Sequence, residues 1–216
     1  MVWGWIPRNT TLIVGALGTH VVLALIPVLV GLVIAVPLGW LASRVPALRA
    51  IFIPTASVLY TIPSLAVFIV LPAILGTQIL DPLNVVVALT IYTVALLVRS
   101  VADALGAVPA LIVAAATAMG YRPGRRFVSV ELPLAVPVLI AGLRVAAVSN
   151  ISLVSVGALI GVGGLGQLFT EGYQRDFPTE ILTGIVLTVL LALVIDGILV
   201  VVGRFATPWA RAGAST

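Results

Sequence analysis

LIGVGGLGQL, residues Leu159 to Leu168, places four glycines within ten residues. Gly161, Gly163, Gly164 and Gly166 have the density of a phosphate-cradling loop, but no strand precedes them and no Lys-Ser/Thr follows, so a nucleotide site is rejected. What they offer is a tight turn with close backbone approach, or simply the end of a helix. The other versatile side chains are scattered. An enzyme needs clustered acids, histidines or a nucleophile beside its base, and Arg144, Asp196 and the single histidine, His20, form no such cluster in sequence. With no cysteine and one histidine there is neither a disulfide framework nor a thiolate or imidazole metal site. Tyr60 and Tyr92 could offer π faces to a cation, but two scattered tyrosines do not make a cage, and packing is their first reading.

The elements that must position these residues are apolar helices. The chain has 216 residues, 62% hydrophobic and only 8% charged, against roughly a quarter charged in soluble domains. Residues 9–43 and 50–80 carry no Asp, Glu, Lys or Arg, and a bilayer span needs only about 20 apolar residues. An all-α integral membrane protein follows, with about five spans: Thr19–Ser43, Ile51–Leu71, Asn84–Ala104, Leu134–Leu159 and Ile181–Gly203. The start, MVWGWIPRN, lacks the basic region of a signal peptide, so the first apolar segment is expected to stay. Prolines 27, 37, 54, 63 and 72 would break soluble helices, but in a helix bundle neighbours can satisfy the freed carbonyls. There is no sequence repeat, so one transmembrane domain, residues 1–216, is expected.

All eleven basic residues are arginines, and their placement orients the spans. With the N-terminus outside, Arg44, Arg49, Arg122, Arg125, Arg126, Arg204 and Arg211 are internal, while only Arg8 and Arg175 are external. Trp3, Trp5, Trp40 and Trp209 fall near the expected interfaces. The net charge of +4 thus reflects orientation in a membrane, not a nucleic-acid partner. Arg144 lies eleven residues beyond Pro133, about 16 Å along an ideal helix and therefore near mid-membrane. A charge there costs at least about 2.5 kcal/mol and faces a bundle interior or water; Arg144 either lines a pathway, together with Asp196, Tyr60 or Tyr92, or pairs with Asp196. The glycine segment falls at the outer end of the fourth span, where it could serve an external gate or merely close the helix.

One stretch interrupts the apolar pattern: AAATAMGYRPGRRFVSVELP, Ala114 to Pro133. With this topology residues 108–133 are cytoplasmic. LIVAAATAM is too short for a span, Gly120 suits the left-handed residue after a helix, and Pro123 can open a second short helix. By composition alone this could be a solvated basic loop. Its spacing, however, resembles the cytoplasmic signature of permeases of binding-protein-dependent ABC importers: Glu-Ala-Ala, three residues, Gly, nine residues, Ile, one residue, Leu-Pro. Ala115, Ala116, Gly120, Val130, Leu132 and Pro133 are in register, while Ala114 stands at the Glu position and Val130 at the Ile.

VLYTIPSLAVFIVLP (58–72), LTIYTVALLVRSVADAL (89–105) and LIGVGGLGQL look like the osmoprotectant branch of that family, importers of glycine betaine, carnitine and choline. Methionine-type permeases are similar in size and glycine segment, which leaves methionine or another amino acid as the alternative substrate. The resemblance implies a methionine-permease-like fold in the bacterial cell membrane. It implies that residues 114–133 dock on a cytoplasmic ATPase that carries ATP and Mg, this chain binding no cofactor. It further implies a second permease, identical or similar, and an extracytoplasmic binding protein. A stand-alone carrier would show inverted repeats, which the sequence lacks, and an intramembrane enzyme lacks its residues.

Overall fold

In the computed structural model, which describes residues 1–209, the chain is helical, with no strand among the described residues. Arg211, counted above among the internal arginines, lies outside them. A short α1 (Trp5–Arg8) leads into α2 (Thr10–Arg44), then α3 (Pro46–Thr61), α4 (Ser64–Leu75) and α5 (Pro82–Gly106). There follow α6 (Ala110–Ala118), α7 (Pro123–Arg126), a π-helical turn (Phe127–Glu131) and α8 (Leu132–Gly157). A 3₁₀ turn (Ala158–Ile160), α9 (Gly166–Gln174) and α10 (Pro178–Ala206) complete the described chain.

Four helical stretches are long and apolar enough to cross a membrane, and a bent pair makes the fifth. α2 begins nine residues before the expected first span, because Thr10 and Thr11 extend the helix rather than end it. The expected continuous span Ile51–Leu71 needs correction: α3 and α4 are separate helices bent by 102°. Pro63 disfavours the α conformation in the residue before it, and Ile62 is extended (φ −66°, ψ 131°). The hydroxyl of Tyr92 on α5 donates to the Ile62 carbonyl at 2.6 Å, capping a group that the break leaves unbonded.

The core lies where α5 crosses α2 and α8. Gly31 and Gly39 of α2 meet Thr93 and Val101 of α5 so closely that a Cβ would lie 2.4 and 2.5 Å from them. Small residues thus let backbones approach in a bundle whose surroundings are as apolar as its core. Leu89, Phe68, Ile151 and Leu165 fill one end of the core, while Val101, Ala135 and Leu139, with Trp40 and Phe127 alongside, fill the other. α10 keeps a broad apolar face exposed, including Val186, Leu190, Leu193 and Val194, as suits a helix against lipid.

Candidate functional site

The interruption at 108–133 folds as a compact module at one end of the bundle. Pro109 precedes α6, which ends in a Schellman motif: the Tyr121 N–H donates to the Ala116 carbonyl at 3.1 Å and the Gly120 N–H to Thr117 at 3.0 Å. Gly120 holds the required left-handed conformation, φ +82°. Ala116 is buried, whereas Ala114 and Ala115 are exposed. Leu111 and Met119, 81% and 70% exposed, extend this apolar surface away from the bundle.

The second helix of the module is not the free-standing one expected from sequence. It starts at Pro123 but runs through the π turn directly into α8, so Val130, Leu132 and Pro133 belong to one continuous helical stretch. The wide turn lies immediately before Pro133, whose ring cannot sit against the carbonyl four residues back in a regular α-helix. It has a second effect. Residues five apart in an α-helix point about 140° away from each other, yet here Arg126 donates to Glu131 at 2.8 Å.

Glu131 is the centre of this module, and reasoning from sequence did not single it out. Its side chain is 2% exposed and also pairs with Arg44 at the end of α2. Arg126 donates in turn to the Thr117 hydroxyl on α6 at 2.6 Å. α6, α7 and the end of α2 are thus tied through one buried carboxylate, with Trp40 of α2 packed on Phe127 at 5.5 Å between ring centroids. The available signal was that Glu131 is the single acid between Asp103 and Glu171, close to three arginines.

A second feature is a cavity of about 640 Å³ between α3, α5 and α8, lined by Ser57, Tyr60, Arg99, Ser100, Asp103 and Gly142 among others. Of the four residues named for a pathway, only Tyr60 lines it. Tyr92 stands behind Tyr60 in an edge-to-face contact, 5.9 Å between centroids. Arg144 and Asp196 come together elsewhere, as a bidentate pair between α8 and α10 with both bonds at 2.7 Å. Arg99 was not singled out from the sequence, although it and Arg144 are the two arginines inside the expected spans.

The glycine segment is a turn that folds α9 back on α8. Gly161, Gly163 and Gly164 all have φ near +80°, and a Cβ on Gly166 would lie 2.6 Å from the Ser155 carbonyl oxygen. His20, fully buried, pins the turn: the Leu165 N–H donates to its Nδ1 at 3.1 Å. Nε2 must then carry the proton, which it donates to the Ile151 carbonyl at 2.9 Å. Among the described residues no group of histidines and acids could hold a metal.

A polytopic helical bundle with a lateral cavity, and with a buttressed helical module carrying an apolar surface out of one end, is the architecture of a membrane-embedded transport component. A family model described as "Binding-protein-dependent transport system inner membrane component" matches residues 31–208. The chain belongs to that family, and is a permease of an ABC import system in the inner membrane. It is 32% identical over 189 residues to the choline transport system permease protein OpuBB of Bacillus subtilis (strain 168), covering 88% of this chain and 86% of that protein. It is 34% identical over 183 residues to the osmoprotectant import permease protein OsmW of Salmonella typhimurium (strain LT2), covering 83% and 85%. Among solved structures it resembles an inward-facing conformation of the MetNI methionine ABC transporter, with a TM-score of 0.80 and 24% identity, covering 93% of this chain and 98% of that one.

Proposed function

We propose that this permease moves osmoprotectants such as glycine betaine, carnitine or choline into the cell, and that residues 1–216 act as a single permease domain. Two permease chains, identical or similar, enclose the path. Cytoplasmic ATPase subunits bind and hydrolyse ATP with Mg, and an extracytoplasmic binding protein delivers the substrate. The observation that carries the transport reading is the Gly120 turn: it presents the exposed face of α6 while Glu131 and Arg126 brace the module against α2, so a displacement of α6 is felt at the end of a span. The choice of substrate is supported by the names of relatives aligned over most of both chains. Methionine or another amino acid is the second reading, favoured by the likeness to the methionine transporter, which at 24% identity is one of fold.

Uptake by proteoliposomes holding this chain with its ATPase, second permease and binding protein tests the reading. Labelled glycine betaine, carnitine or choline should accumulate only with ATP, and accumulation of methionine alone would replace the substrate assignment. The orientation has its own test. Arg44, Arg49 and Arg126 gather with the Gly120 module at one end of the bundle, the end we assign to the cytoplasm. A protease site inserted between Val45 and Pro46 should be cut from the cytoplasmic side and protected in intact spheroplasts; cleavage of intact spheroplasts would invert the topology.

A further inference from the structure

The cavity between α3, α5 and α8 has an uneven charge balance. Asp103 is engaged by Arg49, which donates to its carboxylate at 2.8 Å. Arg99, one turn earlier on α5, also lines the cavity and is exposed, but makes no hydrogen bond or ion pair among the described residues. It lies seven residues inside the end of a membrane-spanning helix, about 10 Å along the axis. A guanidinium at such a depth faces a partner or a water-filled path. The hydroxyl protons of Ser57 and Ser100 are committed to the carbonyls of Ile53 and Leu96. Toward the cavity, therefore, the serines offer lone pairs, and Arg99 remains as the cationic donor.

The other end of the cavity is aromatic. Tyr60 is 43% exposed and its ring is held by Tyr92, itself fixed through its hydroxyl to Ile62. Tyr60 on α3 and Arg99 on α5 line the same cavity, so the braced ring and the guanidinium on its flexible stem face one shared space. Where α5 and α8 close the cavity, a Cβ on Gly142 would lie 2.8 Å from the Ser100 Cβ, and the glycine keeps the two helices at that distance. Ser57, Arg99, Ser100 and Asp103 place polar groups on this otherwise apolar wall, whereas the outward face of α10 is apolar, and we assign the cavity side to the second permease.

We propose that this cavity is a transient station on the transport path for a small zwitterion, with Arg99 taking its carboxylate and the Tyr60 ring its ammonium group. The proposal rests on the permease reading but not on which zwitterion is carried. A zwitterionic lipid headgroup has the same pairing of anion and ammonium, and we commit to the transported solute.

The chain has no cysteine, so Ala141→Cys puts one thiol of the permease at the cavity wall. In the assembled transporter, glycine betaine or carnitine should slow maleimide labelling of this thiol, and choline, which has no carboxylate, should do so only at higher concentration. Arg99→Gln should raise the protecting concentration of the carboxylate solutes roughly tenfold to a hundredfold, the range of a charge-assisted hydrogen bond, and leave that of the cation choline unchanged or lower. Arg99→Lys should restore most of the difference. Protection by no solute, equal protection by choline and the zwitterions, or insensitivity to Arg99→Gln would overturn the proposal, as would labelling that follows the headgroup of the lipid and not the solute. Protection by methionine but not by glycine betaine, lost in Arg99→Gln, would overturn the osmoprotectant assignment and support the station.

Discussion

Gly120→Val is expected to leave the permease in the membrane at normal abundance but to separate ATP hydrolysis from uptake. Nothing lies within 4 Å of a Cβ built at this position, so crowding is not the cause. The backbone is: φ is +82°, and a β-branched residue held there costs roughly 1–3 kcal/mol. The turn relieves that strain by leaving the left-handed region, which breaks the bonds from Tyr121 to Ala116 and from Gly120 to Thr117 and re-aims α6. Gly120→Asn, which tolerates the conformation better, should retain most coupling. Substrate-stimulated ATP hydrolysis and uptake are measured together in reconstituted vesicles, and normal coupling in Gly120→Val at equal abundance would refute this role for the turn.

Glu131→Ala should have the second large effect, on stability as well as on coupling. The carboxylate is buried and answers two guanidiniums, Arg44 and Arg126. Its removal leaves two like charges facing each other at the seam of α2 and α7. Breaking a buried pair from one side costs about 3–5 kcal/mol, and about 3 kcal/mol is expected here because Arg44 keeps some access to water. Thermal unfolding of the purified permease in detergent should shift down clearly, and ATPase stimulation should fall even at temperatures where the bundle persists. An unchanged melting temperature with full stimulation would show that the carboxylate braces nothing.

The distance over which each feature is determined separates what the sequence made legible from what it did not. The Gly120 turn is set by five consecutive residues and a glycine, so it could be read directly, and the spans follow from long apolar runs. Arg144 and Asp196 could each be recognised as an awkward charge, but their bidentate contact joins residues 52 apart and depends on how α10 packs on α8. The Arg126–Glu131 contact escaped a different rule: partners on a helix are sought three or four residues away, and the π turn brings residues five apart together. The break at Ile62 was signalled by Pro63, yet the same residue type sits unbroken inside α2 at Pro27 and Pro37. A proline marks where a helix can break, while the Tyr92 hydroxyl, which receives the exposed carbonyl, comes from another helix.

That break also distributes stiffness. α2 is one helix of 35 residues, continuous through Pro27 and Pro37 and about 52 Å long, so it joins Arg44 to the far end of the bundle as a single element. α3 and α4 form a jointed arm: no helical hydrogen bond ladder bridges the elbow at Ile62 and Pro63, and the Tyr92 hydroxyl, a single bond worth about 1 kcal/mol, is the catch that holds its angle. On the proposed coupling role, a stroke entering at the arginine-rich end would run along α2 as translation and be taken up at the elbow as rotation. Tyr60, two residues before the elbow, lines the cavity, so a rotation there would reshape the cavity wall.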